Sequence, residues 1–156
     1  MNGITDSRHE REQAFAEALR ADGLRMTHQR LEVIRELVSA KQHPGADELF
    51  RAVRERVPMI SRDTVYRTLS TLESRGMIER IMTPGPARFD PDTSAHHHFV
   101  CVRCGRILDL DAGELSCPEV PASLSGVGEV ISMRFEIRGV CAECAATRSD
   151  VKSMAR

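Results

Sequence analysis

The stretch from Ser61 to Asp90, SRDTVYRTLSTLESRGMIERIMTPGPARFD, decides the fold class of this chain. Ser61 is a favourable N-cap and Gly76 a favourable C-terminal stop, so the first part predicts one helix. Its apolar residues recur at spacings of three and four, as on one buried face: Val65, Leu69 and Leu72. The second part contains the turn sequence TPGP at residues 83–86 and predicts a hairpin. A helix followed at once by a hairpin is typical of a winged helix-turn-helix.

The chain before Ser61 predicts three further helices, because apolar residues again recur at helical spacings. They are predicted around Phe15 and Leu19 up to Gly23, after the N-cap Thr27, and from just after Pro44 to just before Pro58. The hairpin strands are predicted over Met77 to Ile81 and Ala87 to Asp90. Together these elements predict an N-terminal domain over residues 1–90, with a hinge near residues 83–93.

The pattern changes after about residue 92, where histidines and cysteines cluster and short strands replace helices. Strands are predicted over Val100 to Val102, Arg106 to Leu110 and Val130 to Val140. The third alternates apolar residues on one face: Ile131, Met133, Phe135 and Ile137. One short helix is predicted between Asp111 and Gly126. We therefore expect an α+β protein whose second, small α/β domain covers residues 94–156.

Composition favours a chain that stays in the cytoplasm. No run of about 18 apolar residues is present, and the N-terminus is charged throughout, so we expect neither a membrane span nor an export signal. Five cysteines in such a chain indicate metal ligands more readily than disulfides. The net charge of −1 gives no support for nucleic-acid binding, but five arginines and only two acids lie between Arg51 and Arg67.

Two Cys-x-x-Cys pairs are the strongest chemical signal: Cys101, Cys104, Cys141 and Cys144. This spacing lets two thiolates of each pair converge on one metal, and two pairs complete the four-sulfur shell typical of structural Zn²⁺. A redox pair is the alternative interpretation. Cys117 is left over, and we interpret it as a small, partly buried apolar residue.

A second metal signal is the run His96-His97-His98. On a strand, alternate residues share a face, so His96 and His98 can chelate one ion while His97 points away. Asp90 and Asp109 lie nearby in sequence and strengthen this interpretation. Imidazole and carboxylate ligands suit iron, manganese or zinc and permit reversible binding. His43 joins this set only if the fold brings it close, and it is otherwise explained as the residue before a proline.

The polar face of the fourth predicted helix carries side chains that reach phosphates and base edges. They are Arg62, Thr64, Tyr66, Arg67, Thr68 and Thr71. A solvated helix face is the alternative. As the last helix before a wing, this helix is the one that enters the DNA groove in such folds.

These residues resemble a known family, the ferric uptake regulators. The motifs that carry the resemblance occur in the family's order: Arg25-Met-Thr-His-Gln-Arg30, His43-Pro-Gly-Ala-Asp-Glu48, Asp63-Thr-Val-Tyr-Arg-Thr-Leu69, His96 to His98 and Cys101 to Gly105. The resemblance spans about residues 12–145 and is specific, because several unrelated motifs agree in order and spacing.

The resemblance implies a DNA-binding N-terminal domain that contacts an operator duplex, and a C-terminal domain that forms a homodimer around structural Zn²⁺. DNA contacts are then expected from Arg25, Arg30, Arg62, Thr64, Tyr66 and Arg67. The family's regulatory ion, Fe²⁺ or Mn²⁺, falls on His43, Asp90, His96, His98 and Asp109. Since these ligands come from both domains, the ion is expected to lock them in the arrangement that binds DNA.

The residue at position 90 resembles the peroxide-sensing branch, which has Asp where iron regulators tend to have Glu. In that branch iron-catalysed oxidation of ligand histidines, here His43 and His96, releases the ion and the DNA. Ser132 and Met133 stand where the family usually has a histidine, so we expect no third metal site.

Other functions remain open from sequence. An iron-responsive or zinc-responsive uptake repressor of the same family would have nearly the same ligands. A zinc hydrolase would need a catalytic ion with an open position, and no His-Glu-x-x-His motif is present. A zinc-containing interaction module would carry the helix-turn-helix without using it.

Overall fold

A computed structural model describes residues 3–21, 23–115, 119–130, 133 and 135–153. The chain divides into two compact units. Unit 1 consists of Met1–Met82 and Pro86–Thr93, and unit 2 of Thr83–Gly85 and Ser94–Arg156. Within the described ranges, no helix is both long enough and apolar enough to cross a membrane.

Unit 1 contains four helices: α1 (Gly3–Ala21), α2 (His28–Ser39), α3 (Ala46–Arg56) and α4 (Arg62–Ser74). The predicted caps are present, because Thr27 accepts a hydrogen bond from the Arg30 amide and Ser61 accepts one from the Thr64 amide at 3.1 Å. Gly76 has a φ of +65°, the left-handed conformation that ends a helix. The four predicted helices are confirmed.

The hairpin that follows α4 consists of β1 (Glu79–Ile81) and β2 (Arg88–Asp90). The strands are antiparallel, with Arg80 opposite Phe89. Helix α4 and this hairpin have the order and lengths of a recognition helix and its wing, as the sequence predicts.

One apolar core holds unit 1 together, and helix α2 lies against α1, α3 and α4. Its fully covered residues include Leu19, Val33, Ile34, Leu37, Leu49, Val53, Val65, Leu69 and Leu72. Burying each such side chain stabilises the fold by about 1.5–3 kcal/mol before chain entropy is counted. The apolar face of α4 is therefore fixed inward, and its other face is left for solvent or a partner.

Unit 2 contains a three-stranded sheet and a terminal helix: β3 (His96–Cys101), β4 (Ile107–Asp111), β5 (Glu136–Gly139) and α5 (Ala142–Ser153). β3 is the central strand, antiparallel to β4 and parallel to β5. His98 lies opposite Asp109 in the first pairing, and Phe99 lies beside Ile137 in the second. The central position of β3 places both the histidine run and the first cysteine on the best-supported strand of the sheet.

Several strand predictions in unit 2 were wrong in their limits. β3 begins at His96 rather than Val100, because all three histidines pair with β4 and His98 also pairs with β5. Among the described residues of the strand predicted over Val130 to Val140, those in a strand are Glu136–Gly139. Ile137 is 40% exposed, so its apolar character does not mark a buried face within the unit. Ile131 and Ser132 lie outside the described residues.

The helix predicted between Asp111 and Gly126 was also wrong. The described part of this segment contains two single 3₁₀ turns, Ala112–Glu114 and Ala122–Leu124. Pro121 and Gly126 bracket the second turn, and Gly126 has a φ of +86°. Short turns bounded by such residues are too brief to propagate an α-helix.

Candidate metal centres and nucleic-acid interface

The four cysteines of the two pairs meet in unit 2. Cys101 ends β3, Cys104 lies in the turn after it, and Cys141 and Cys144 lie at the start of α5. Their sulfur atoms all lie within 4.8 Å of one another, and Cys104 Sγ is 3.7 Å from Cys141 Sγ. A tetrahedral shell with metal–sulfur bonds of about 2.3 Å requires sulfur separations of about 3.8 Å. The residues therefore fit a Zn²⁺ ion.

The electrostatics of this cluster also favour a cation. Backbone N–H groups of Cys104 and Cys141 lower the pKa of the Cys101 thiol to about 6. Hydrogen bonds to the sulfurs of Cys141 and Cys104 raise the pKa of the Cys144 thiol to about 12. One thiolate is thus favoured while a neighbour keeps its proton, so binding of a dication to all four sulfurs releases protons.

Two arginines connect the two cysteine pairs. Arg103 donates a hydrogen bond to the Cys144 carbonyl, and Arg106 forms an ion pair with Glu143 at 2.8 Å. Arg103 lies in the turn after β3 and Arg106 directly before β4, and both partners lie in the first turn of α5. Their positive charges lie beside a cluster that becomes anionic when its thiols ionise.

The second cluster of unit 2 lies on β3 and β4. His96 Nε2 and His98 Nε2 are 2.9 Å apart, and His98 Nε2 is 3.6 Å from Asp109 Oδ1. His96 Nδ1 lies 2.9 Å from the Ser94 carbonyl oxygen. Because a carbonyl oxygen only accepts, Nδ1 carries the proton and Nε2 of the neutral ring carries the lone pair that a metal needs.

His97 points to the opposite face, as the strand periodicity predicts. Its Nδ1 accepts a hydrogen bond from the Phe135 amide at 3.3 Å, and its ring packs edge-on against the Phe135 ring. The side chain is buried and therefore serves the interior of unit 2. Cys117 lies outside the described residues.

Unit 1 brings together the other two expected ligands. His43 precedes α3, and Asp90 ends β2, yet His43 Nε2 lies 3.5 Å from Asp90 Oδ2. Both side chains are more than nine-tenths buried. Asp90 Oδ1 accepts a hydrogen bond from the Asp92 amide at 2.8 Å, which orients the carboxylate. A nitrogen and an oxygen at this separation fit neighbouring positions around one divalent ion.

The outer face of α4 supplies the candidate nucleic-acid contacts. Arg67 has 74% of its side chain exposed and Tyr66 is 47% exposed. Thr68 is buried and donates its hydroxyl hydrogen to the Thr64 carbonyl, so the prediction that Thr68 belongs to the polar face was wrong. A β-branched threonine on a helix satisfies its hydroxyl in this way when it is packed in a core.

The arginines of this region already have partners within unit 1. Arg62 pairs with Asp47 at 2.5 Å and its guanidinium lies over the Phe50 ring, while Arg67 pairs with Asp63. Arg30 donates to the Arg25 carbonyl at 2.7 Å, which fixes the loop before α2. Exposed ion pairs of this kind are worth at most about 1 kcal/mol, so a phosphate can replace the carboxylate.

Comparison with known proteins settles the family. The pattern that defines the ferric uptake regulator family matches residues 21–123. The chain belongs to the ferric uptake regulator family. It is 36% identical over 137 residues to the peroxide-responsive repressor PerR of Staphylococcus epidermidis. The aligned region covers 87% of this chain and 91% of that protein.

Solved structures of ferric uptake regulators share this fold. The ferric uptake regulator of Helicobacter pylori, described with three functional metal-binding sites, has a TM-score of 0.68 at 23% identity over 88% of this chain and 93% of its own. The regulator of Pseudomonas aeruginosa with manganese has a TM-score of 0.61 at 25% identity, over 81% and 97%. Members of this family regulate transcription and are not enzymes, so the hydrolase alternative is wrong.

Three residues of this family member were missed from sequence. Ser94 fixes the tautomer of His96 through its carbonyl, which no sequence pattern reveals because every residue has one. Glu48 and Arg88 form an ion pair of 2.6 Å between α3 and β2. Burial raises the pKa of Glu48. Hydrogen bonds from the Gly45 amide and Arg88 lower it by a larger amount, so this pKa lies below its ordinary value.

Proposed function

We propose that this ferric uptake regulator is a metal-dependent repressor that responds to peroxide. The observation that carries the proposal is the paired imidazoles on β3, with His96 fixed in the metal-binding tautomer and His98 beside Asp109. The relative from S. epidermidis, similar over most of its length, is named as a peroxide-responsive repressor. Asp90 in the ligand set supports the same branch.

The two kinds of ligand suggest two kinds of ion. Four thiolates in one closed cluster favour permanent Zn²⁺, and Cys101, Cys104, Cys141 and Cys144 would hold it. Histidine and carboxylate ligands favour an exchangeable Fe²⁺ or Mn²⁺. In our proposal His43 and Asp90 contribute from unit 1, and His96, His98 and Asp109 from unit 2. A ferrous ion held by these residues would catalyse the transfer of one oxygen atom from peroxide to a ligand histidine, and the peroxide would be released as water.

Domain roles follow from this assignment. Residues 1–90, with the hinge near 83–93, would read the operator, and residues 94–156 would dimerise and bind metal. DNA contacts are proposed for Tyr66 and Arg67 on the exposed face of α4, with support from Arg25, Arg30, Arg62 and Thr64. Without the exchangeable ion, the two domains would no longer be held in the arrangement that binds DNA.

The homodimer is supported by an apolar row on the sheet of unit 2. Phe99 of β3 has Leu108 of β4 on one side and Ile137 of β5 on the other. Leu108 is 57% exposed and Ile137 40%. A second copy of this chain would cover the row, as a dimer of this family requires, and two copies would present two reading heads to one duplex. A reducing cytoplasm suits the free thiols of the zinc cluster.

Operator binding with and without ion tests the proposal. The zinc-loaded dimer should bind operator DNA strongly with Mn²⁺ or Fe²⁺ and weakly without. Equal affinity of both forms would exclude a metal-dependent repressor. Replacing Tyr66 and Arg67 by alanine should weaken binding and, for each lost phosphate contact, reduce the salt slope by about one unit. Variants that bind like the wild type would favour an interaction module.

Peroxide separates the branches of the family. With Fe²⁺ and peroxide, mass spectrometry should find one added oxygen on a peptide carrying His43 or His96, together with loss of operator binding. The same treatment with Mn²⁺ is the matched control and should leave both peptides unmodified. Unmodified histidines in the Fe²⁺ sample would instead favour an iron-responsive or zinc-responsive uptake repressor.

A further inference from the structure

His43 lies in the segment that connects the end of α2 at Ser39 to the start of α3 at Ala46, and this segment contains no helix or named strand. Connecting segments are usually more mobile than the elements they join. A metal ligand should be held rigidly before the ion binds, since ordering a mobile side chain at the moment of binding lowers the affinity. Something outside the segment must therefore hold the imidazole of His43 near Asp90.

Backbone contacts provide part of that support. The Phe89 amide donates a hydrogen bond to the Pro44 carbonyl at 3.0 Å, and Gly45 forms an isolated antiparallel bridge with Arg88. The His43 segment is thus an extra edge contact of β2, the strand that ends at Asp90. Both ligands of unit 1 are attached to one strand.

An ion pair completes this attachment. Arg88 Nη1 lies 2.6 Å from Glu48 Oε2, and the same oxygen accepts the Gly45 amide at 3.1 Å. Arg88 Nη1 also faces the His43 carbonyl oxygen at 3.5 Å. One guanidinium and one carboxylate therefore contact the backbone on both sides of Pro44, and they join β2 to the first turn of α3.

We propose that the Glu48–Arg88 ion pair positions His43 for the regulatory ion. This inference rests on the proposed function, because it concerns a ligand of that ion. Neither residue touches the ion. Their role is to hold the His43 backbone against β2, so that the imidazole faces Asp90 before the ion arrives. Outer partners of metal ligands typically change metal affinity by about 10–100-fold when they are removed.

Asp47 offers a matched control. It is the neighbour of Glu48 in the first turn of α3 and also forms an ion pair, but its partner is Arg62. Asp47→Asn removes the same charge from the same helix end, so effects through the helix dipole or general stability should match those of Glu48→Gln. A difference in metal affinity between the two variants isolates the contact with the His43 segment.

The experiment is a Mn²⁺ titration of the full-length zinc-loaded protein, with free Mn²⁺ measured by electron paramagnetic resonance. Glu48→Gln and Arg88→Gln should each raise the Kd about tenfold, and the double variant should lose no more than either single variant. Asp47→Asn should bind like the wild type. In the metal-free protein, amide exchange at Gly45 and Phe89 should be faster in the Arg88→Gln variant.

Each outcome decides the matter. Wild-type affinity in Glu48→Gln and Arg88→Gln, or an equal loss in Asp47→Asn, would overturn the positioning role and leave the proposed function intact. Absence of Mn²⁺ binding in the wild-type protein would contradict the proposed function, and this inference with it. Additive losses in the double variant would show that the two residues act separately.

Discussion

The two units of the molecule are stabilised in different ways. Unit 1 buries an apolar side chain from every one of its helices and from both strands of its hairpin. In the described part of unit 2, the apolar residues that are buried are Val100, Cys101 and Cys141, and the other buried residues are three histidines. The difference shows that a unit with so little apolar core needs cross-links that are not hydrophobic.

The buried groups of unit 2 are also its chemical groups. Cys101, His96 and His98 are central in the sheet and would be costly to bury without partners. Bound ions satisfy such groups, so stability and metal binding are coupled in unit 2. Unit 1 presents its proposed DNA contacts Tyr66 and Arg67 on the surface of α4, where they should have little effect on folding. Four predictions test this contrast.

Removal of the thiolate shell should have the largest effect. Cys141→Ser should abolish bound zinc and unfold unit 2, because structural Zn²⁺ contributes about 10–16 kcal/mol of apparent binding free energy in zinc-finger peptides. Metal analysis and hydrogen exchange resolved along the chain measure this, and residues of α1–α4 should stay protected. Cys117→Ser is the matched control and should keep its zinc. A folded, zinc-free unit 2 would break the contrast.

Truncation of the apolar core should act on unit 1 alone. Leu69 is 1% exposed, and Leu69→Ala should lower the free energy of unfolding of unit 1 by about 2–5 kcal/mol. Denaturant unfolding measures the loss, while zinc content should not change. Met59→Ala in the same unit is the control, since Met59 is 86% exposed, and it should cost less than about 0.5 kcal/mol. Zinc loss in Leu69→Ala would argue against independent stabilisation.

Gly139 tests how tightly the small sheet is packed. A Cβ atom at this position would lie 2.8 Å from Phe99 Cε2, so Gly139→Ala should displace β5 or the ring and destabilise unit 2 by about 1–3 kcal/mol. Gly128→Ala, where an added Cβ meets nothing within 4 Å, is the control. Thermal unfolding of the zinc-loaded protein measures both. Equal midpoints for the two variants would mean that the sheet adjusts without cost.

The smallest effect is expected from a carboxylate of unit 1. Burial raises the pKa of Glu32, but hydrogen bonds from Arg35 and Arg56 lower it by more, so this pKa lies below the ordinary 4.5. Ionised Glu32 therefore stabilises unit 1 above about pH 4.5, and this contribution is lost as the pH falls through the lowered pKa.

Glu32→Gln should destabilise unit 1 at pH 7 by less than about 1 kcal/mol, and the difference from the wild type should shrink in acid. Chemical unfolding at several pH values between 3 and 7 measures it. Glu17→Gln, at an exposed position of α1, is the control and should change the free energy of unfolding at pH 7 by less than about 0.5 kcal/mol. A difference that persists unchanged at the lowest pH would mean that Glu32 acts through packing and not through its charge.

Local patterns predicted much of this protein correctly. The caps Thr27 and Ser61, the stop at Gly76 and the apolar spacing of α4 are short-range features, and each was read correctly because a helix depends on neighbours within four residues. The limits of β3 and β5 were predicted less well, since a strand ends where its pairing partner ends, and the partner is distant in sequence.

The sequence by itself determined the family, the α+β class, the two cysteine pairs and the alternation that puts His96 and His98 on one face. Only the tertiary structure decided that Thr68 is buried and that Glu48 meets Arg88. The physical reason is the distance along the sequence between the residues that interact. Residue type and spacing specify local conformation, whereas contacts between residues forty positions apart depend on how whole elements pack.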